Sequence, residues 1–514
     1  MRPLPAGPQL GRLLADALAE HRDADVLHIG ADVLTGGDLA DQISRYLAAL
    51  RGFGVDTGST LALLSGNRPE VLTLIGAGQI GGSRRTALHP LGSLDDHAYV
   101  LADAGIETLV VDAVPVFVER AAALLERVDC LRTVLTLGPA EVGEDLVAAA
   151  AAHAAGPLEV VELDPDAIVS ITYTGGTTGR PKGVVGTASS MAAMTQVQLA
   201  EWEWPEAPRF LMCTPLSHAG AAFFVPTLVA GGSMVVLPRF DPETFARTVQ
   251  EQRITATMLV PSMIYALLDH PAVAAYDLSS LQTVYYGAAP INPVRLAEAI
   301  ERFGPVFAQF YGQSECPMVI SYLAKADHSG ERLASCGRPS VHLDLELRDE
   351  AGQVVAPGEP GEICVSGPVL ARDYWQRPDE TAAAFQDGWL RTGDVARQDE
   401  DGFLYIVDRT KDMIVTGGFN VFPREVEDVV ATHPRVAQVA VVGTPDEKWG
   451  EAVTAVVVLR DGEYDDDLAA ELTALVRERK GPVHVPKQVI PVESIPLTGL
   501  GKPDKVALRK SLRG

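Results

Sequence analysis

Apolar and polar positions along this chain follow two rhythms that keep exchanging places. ADQISRYLAALRGFGV (40–55) sets apolar residues at helical spacing, while STLALLS (59–65) and TLVVD (108–112) are short runs of strand length. AIVSITY (167–173) is a β-branched apolar run that predicts a buried strand. GVV (183–185) predicts a short second strand, and SSMAAMTQVQLAEW (189–202) a helix. Such alternation predicts an α/β fold with largely parallel sheets.

The texture changes near residue 341. LDLELRDEAG (343–352), GEICVSGP (361–368) and GFLYIVDR (402–409) are short alternating runs between Gly, Pro and Asp turns, which predicts a small β-rich subdomain over 341–408. Helical and strand patterns then return in PREVEDVVATH, VAQVAVVG and AVTAVVVL, followed by a helix to about residue 480. The chain therefore divides into a large domain over 1–408 and a small α+β domain over 409–514, with the boundary at Asp408–Arg409. The acidic stretch DGEYDDDLAAE (461–471) reads as a solvated helix start.

Composition narrows the function classes. A net charge of −26 argues against nucleic acid as a partner, because a phosphate backbone would be repelled over most of the surface. The longest apolar run, residues 221–238, contains Pro226 and the pair Gly231–Gly232, which predicts helix, turn and strand rather than membrane insertion. The opening MRPLPAGPQL lacks the apolar core of a signal peptide. Five cysteines (130, 213, 316, 336, 364) without a CxxC pair fit reduced thiols, so a cytoplasmic location is expected. Composition leaves a homo-oligomer open.

The stretch TYTGGTTGRPKG (172–183) holds four Gly and four Thr, closed by Arg180 and Lys182. Glycine lets backbone N–H groups turn toward an anion, threonine hydroxyls add donors, and Lys182 supplies a point charge. A Walker A loop is excluded, because Lys182 is followed by Gly183 where that motif needs Ser or Thr to hold Mg²⁺. Four further clusters are weak singly. YGQSE (311–315) ends a strand with a hydroxyl and a carboxylate suited to phosphate and Mg²⁺. WLRTGD (389–394) sets an Asp on a Gly turn, where it can accept from both hydroxyls of a ribose. DRTKDMIVTGGFNVFPREVE (408–427) and IPLTGLGKPDKVALRK (495–510) are dense in charge and Gly near the C-terminus.

In this order, with PLSHAG (215–220) and YYGAAP (285–290), the clusters resemble those of the adenylate-forming superfamily: acyl-CoA and aryl-CoA ligases, peptide-synthetase adenylation domains and beetle luciferases. The resemblance runs from about residue 10 to the C-terminus and is greatest to bacterial fatty-acid-type ligases. It implies a mobile C-terminal domain, the substrates ATP and coenzyme A, Mg²⁺, and two half-reactions. A carboxylate first attacks the α-phosphate of ATP, giving an acyl-adenylate and pyrophosphate. The thiol of CoA then displaces AMP.

Residue by residue, the resemblance implies that Thr174, Gly175, Gly176, Thr177, Thr178, Gly179 and Lys182 cradle the β- and γ-phosphates. Gly287, Ala288, Ala289 and Pro290 would wall the adenine. Tyr311 and Gly312 would join the nucleotide site, with Ser314 on the α-phosphate and Glu315 on Mg²⁺. Asp394 would take the ribose hydroxyls with Arg409 nearby, and Lys502 would bridge carboxylate and α-phosphate. Lys411 matches the hinge, Gly417 and Gly418 the pantetheine tunnel, and His218 the aromatic gate beside the acyl carboxylate.

Two departures predict a slower adenylation half-reaction: Gly175 where relatives usually carry Ser, and Arg84–Arg85 where apolar residues are commoner. AGAAFFVPTL (219–228) offers no carboxylate for a substrate ammonium, whose unpaired burial costs several kcal/mol, which argues against an amino acid. Small residues (Ala219, Gly220, Ala222) predict room for a bulky or long apolar acid. The run from 367 to 394 lacks the insertion of ligases that load an acyl-carrier protein, so CoA is the expected acceptor and the carrier protein the alternative. His89 and His97, with Asp95 and Asp96, sit too sparsely for a metal site and are expected on a solvated loop.

Overall fold

The computed structural model describes residues 9–30, 32–174, 181–217, 219–409, 412, 414–416, 419–446, 449–460, 462–497 and 503–512. Two large sheets carry the chain from Asp25 to Pro339. The seven-stranded one runs Glu144–Asp145, Thr133–Leu137, Thr108–Asp112, Thr60–Leu64, Arg84–Ala87, β1 (Ile168–Thr174) and β2 (Lys182–Thr187). Its pairs are parallel except the last, β1 with β2, which is antiparallel. The nine-stranded one runs Arg338–Pro339, β5 (Cys316–Leu323), β4 (Phe307–Gln313), β3 (Thr283–Gly287), Ala256–Leu259, Arg209–Met212, Ser233–Val236, Asp25–Ile29 and Asp32–Thr35. It is parallel through its centre and antiparallel at both ends. The α/β class and the parallel bias match the sequence pattern.

Helices form where that pattern placed them, and their ends are chemically marked. The helix Gly36–Gly52 opens on a capping box: the Thr35 hydroxyl accepts from Asp38 N–H at 3.1 Å, and the Asp38 carboxylate accepts from Thr35 N–H at 3.0 Å. Such a cap contributes about 1 kcal/mol. One continuous core joins the two sheets, running from Leu14, Ile43 and Leu74 through Val197 and Phe210 to Tyr285 and Phe310. Trp202 lies at its aromatic centre, its ring centroid 5.3 Å from those of both Tyr285 and Phe310. In β1 only Ile171 is fully buried and Thr172 is exposed, so AIVSITY is a half-buried hairpin strand rather than a buried one. Its antiparallel partner β2 is the last named strand of the sheet among the described residues.

A five-stranded antiparallel sheet follows, formed by Asp344–Arg348, β6 (Gly361–Ser366), Phe385–Gln386, β7 (Trp389–Gln398) and β8 (Leu404–Arg409). The last hundred residues build their own sheet, and Val426, Val441, Val453, Leu468 and Leu472 form a core separate from that of the large sheets. Asp465 caps the helix Asp466–Lys480 by accepting from Leu468 N–H, so the acidic stretch is a helix start as expected. Among the described residues no helix is long and apolar enough to cross a membrane.

Candidate active site

The β1–β2 hairpin brings Thr174 directly opposite Lys182, so residues 175–181 form the crossing between the two strands. Gly175, Gly176, Thr177, Thr178 and Gly179 lie outside the described residues, as do His218, Lys411, Gly417, Gly418 and Lys502. What flanks the loop is described. Residues 372–375 lie along the free edge of β2: Arg372 N–H donates to Val185 O at 3.0 Å, Val185 N–H to Asp373 O at 3.0 Å, and Trp375 N–H to Gly183 O at 2.7 Å. At its near end Ala371 N–H donates to Glu315 O at 2.8 Å. This strap ties the β1–β2 hairpin to the turn that carries Glu315.

Tyr374, at the middle of the strap, touches both. Its hydroxyl donates to Glu315 Oε1 at 2.6 Å, and Lys182 Nζ stands 4.2 Å from its ring centroid. Burial pushes the Tyr374 phenol well above its usual range, so it remains a donor. Lys182 also pairs with Glu380 at 2.9 Å, a residue of the short helix Pro378–Ala384. The strap is anchored from the far side by Asp103, which accepts from Tyr173 Oη at 2.6 Å and from Arg377 at 2.8 Å. Its backbone oxygen accepts from Trp375 Nε1 at 2.8 Å.

β4 delivers the second group of residues. Tyr311 and Gly312 lie near the end of this strand, and Ser314 and Glu315 form the tight turn into β5. Glu315 is buried, as is Asp394 on β7. Tyr311 Oη donates to Asp394 Oδ2 at 2.6 Å, and Gln313 Nε2 donates to Thr392 O at 3.3 Å. Arg409 on β8 lies directly opposite Asp394 in the strand register. Gly393 sits in a bulge within β7 rather than in the turn expected from RTGD, with φ +72° and a register shift against β6. Its N–H donates to Glu362 Oε1 at 2.9 Å, which occupies the amide that the bulge removes from the ladder.

Gly287 ends β3 and is buried, and a Cβ there would lie 2.4 Å from Phe310 O, so the close approach of β3 to β4 requires glycine. Ala288 follows in the left-handed region at φ +64°, a conformation that costs a non-glycine residue about 1–2 kcal/mol. Ala288 and Pro290 are exposed, and Ala289 is half-buried. Thr174, Lys182, Tyr311, Ser314, Glu315 and Asp394 are thus linked through Tyr374 and the β4 end, while Ala219, Gly220 and Ala222 lie on the 3-10 turn Ala219–Phe223.

Several expectations need correction. At Gly220 a Cβ would meet Met212 sulfur at 2.8 Å and Pro215 O at 2.9 Å, so close packing requires glycine there. His97 is not on a solvated loop. It lies buried in the helix Leu94–Asp103, where its Nδ1 accepts from Arg120 at 2.9 Å and its Nε2–H donates to His89 O at 2.8 Å. Burial holds it below the usual histidine range, which agrees with that neutral tautomer. Arg84 stacks 4.9 Å over the Trp375 ring and donates to Ala104 O, so this departure anchors the strap. Burial pulls its neighbour Arg85 down to about 10.

Among the described residues no group of three or more His, Cys, Asp or Glu side chains could hold a metal ion by itself. Glu315 nevertheless fits Mg²⁺: one oxygen is fixed by Tyr374, and Mg²⁺ at nucleotide sites commonly takes one or two carboxylates plus substrate phosphates. Tyr374 and Glu380 escaped the sequence reading. Both lie in the run 367–394, read there only for its lack of an insertion, and nothing local in DYWQRPDE marks them.

The AMP-binding enzyme family matches residues 14–375, and the AMP-binding enzyme C-terminal domain matches residues 425–502. The medium/long-chain-fatty-acid–CoA ligase FadD8 of Mycobacterium tuberculosis is 64% identical over 509 residues, covering 97% of this chain and 89% of that one. A feruloyl-CoA synthase of an Amycolatopsis species is 38% identical over 95% of this chain and 96% of its own length. Among solved structures, the amide bond synthetase McbA of Marinactinospora thermotolerans aligns with a TM-score of 0.90 at 37% identity, covering 98% of this chain and 100% of that one. The chain belongs to the AMP-binding enzymes of the adenylate-forming superfamily.

Proposed function

We propose that this chain is an AMP-forming acyl-CoA ligase acting on medium- or long-chain fatty acids. The observation that carries the reading is the junction at Tyr374, which unites the phosphate-loop lysine with the buried carboxylate of the β4–β5 turn. The 64% identity to a fatty-acid–CoA ligase supports the substrate class and CoA as acceptor, so an acyl-carrier protein is not favoured.

In this reading Thr174, the loop 175–179 and Lys182 hold the β- and γ-phosphates, and Ser314 meets the α-phosphate. Gly287 to Pro290 wall the adenine, and Asp394 with Arg409 holds the ribose. Glu315 would hold Mg²⁺, which when bound would neutralise charge on the transferring phosphoryl group. Lys502 brings its charge to the carboxylate and α-phosphate, and His218 stands beside the acyl carboxylate. Once pyrophosphate has left, the domain 409–514 turns about Lys411, and the thiol arm of CoA enters past Gly417 and Gly418. Thiol attack on the carbonyl carbon breaks the bond to AMP.

Mass spectrometry of reactions with ATP, CoA and a panel of free acids tests the reading. Fatty acyl-CoA and AMP are expected. Thioester on a phosphopantetheinylated carrier protein alone would exclude CoA as acceptor, and turnover only of aryl-propenoic acids would exclude the fatty-acid class.

The missing hydroxyl at Gly175 has its own consequence. Hydrogen bonds to charged groups contribute about 1.5–3 kcal/mol, and pyrophosphate is held only during adenylation. Gly175→Ser is expected to raise ATP–pyrophosphate exchange while leaving CoA transfer from supplied acyl-adenylate unchanged. Exchange that does not rise would make Gly175 a neutral substitution.

A further inference from the structure

Lys182 is held by three features at once. Its ammonium pairs with Glu380 at 2.9 Å, it stands over the Tyr374 ring at 4.2 Å, and through that residue it is tied to Glu315. The Lys182 side chain is mostly buried, at 20% exposure, whereas Glu380 is 36% exposed on a helix of seven residues. Thr381, the next residue of that helix, accepts from Tyr374 N–H at 3.0 Å and donates to Arg377 O at 2.8 Å. The helix is therefore fixed to the strap, and Glu380 reaches the lysine from a rigid base.

We propose that Glu380 is an internal stand-in for the terminal phosphates of ATP, holding the Lys182 ammonium over Tyr374 until the triphosphate displaces it. The proposal rests on the reading of Lys182 as the β/γ-phosphate ligand. Two physical arguments carry it. A partly buried ammonium facing only an aromatic ring would lack the acceptor its desolvation demands, and Glu380 supplies one. A carboxylate this close to the phosphate site also opposes an incoming polyanion, so nucleotide must compete with it for the same cation. Because the aromatic face is independent of the anion, Lys182 can exchange carboxylate for phosphate without leaving Tyr374. Glu380 thereby makes the site discriminate between nucleotides by phosphate number: it opposes ligands that need Lys182 and ignores those that do not.

The test is equilibrium binding of ATP and of AMP to the full chain by calorimetry, in EDTA so that no metal contributes. In Glu380→Gln, ATP is expected to bind about three- to fivefold tighter, the range set by loss of a partly exposed ion pair. AMP, which lacks the β- and γ-phosphates, is expected to bind as before. Glu380→Ala, with its melting temperature recorded, should give the same selective tightening and guards against a local effect of the amide. Unchanged or weaker ATP binding in both variants would overturn the proposal, because Glu380 would then be orienting Lys182 rather than competing for it. Equal tightening of AMP would overturn it too. Lys182→Ala separates the two levels of the argument: ATP affinity falling to that of AMP upholds the phosphate reading, while ATP affinity that does not fall removes both.

Discussion

Lys502→Ala is expected to remove most of the adenylation half-reaction while leaving thioester formation from a supplied acyl-adenylate nearly intact. In the first half-reaction an anionic carboxylate must approach an anionic triphosphate, and charge builds on the phosphoryl group as it transfers. A cation aimed at that charge acts as an oxyanion-hole donor does, and removing one such contact costs about 3–4 kcal/mol, two to three orders of magnitude in rate. In the second half-reaction the carbonyl is already activated, and on the proposed reading the C-terminal domain would have carried Lys502 away. ATP–pyrophosphate exchange and adenylate-to-CoA transfer, measured on one preparation, check the split. Equal loss in both would mean that Lys502 supports the fold of its domain instead.

Asp394→Ala is expected to behave differently, because ribose is held from ATP binding until AMP leaves. The carboxylate is buried and fixed by the Tyr311 hydroxyl at 2.6 Å. On the proposed reading, two ribose hydroxyls donating to it would form charge-assisted bonds of about 1.5–3 kcal/mol each. Loss of even one raises KM about ten- to hundredfold. The increase should appear for ATP in the exchange assay and for acyl-adenylate in the transfer assay alike. An effect confined to one half-reaction would contradict the ribose assignment. Tyr311→Phe, which removes only the positioning hydroxyl, should reproduce the pattern more weakly.

What was legible in the sequence was what local chemistry controls. Strand and helix periodicity placed the elements that flank residues 175–181, β1 and β2 among them. The order of short motifs then identified the family. What was not legible depended on contacts between distant segments. Tyr374 acquires its role only because residues 372–375 pair with the edge of β2, about 190 positions earlier in the chain, and Arg84 is explained by the Trp375 ring it stacks on. Gly393 was read as a turn because nothing in RTGD distinguishes a turn from a bulge whose amide bonds the Glu362 side chain. The placing of His97 on a loop was avoidable. Ser93 accepts from Asp96 N–H and so begins a helix, and Ser followed three residues later by an acid is a recognisable start signal.

Oxygen labelling follows a free acid to CoA through the acyl-adenylate. A fatty acid carrying ¹⁸O in both carboxylate oxygens is incubated with ATP and CoA, and the products are resolved by mass spectrometry. Attack of a carboxylate oxygen on the α-phosphorus, followed by thiol attack on the carbonyl carbon, leaves one ¹⁸O in AMP and one in the thioester carbonyl. The expected result is therefore singly labelled AMP formed in step with singly labelled acyl-CoA. Unlabelled AMP, or label appearing in inorganic phosphate together with ADP, would contradict it.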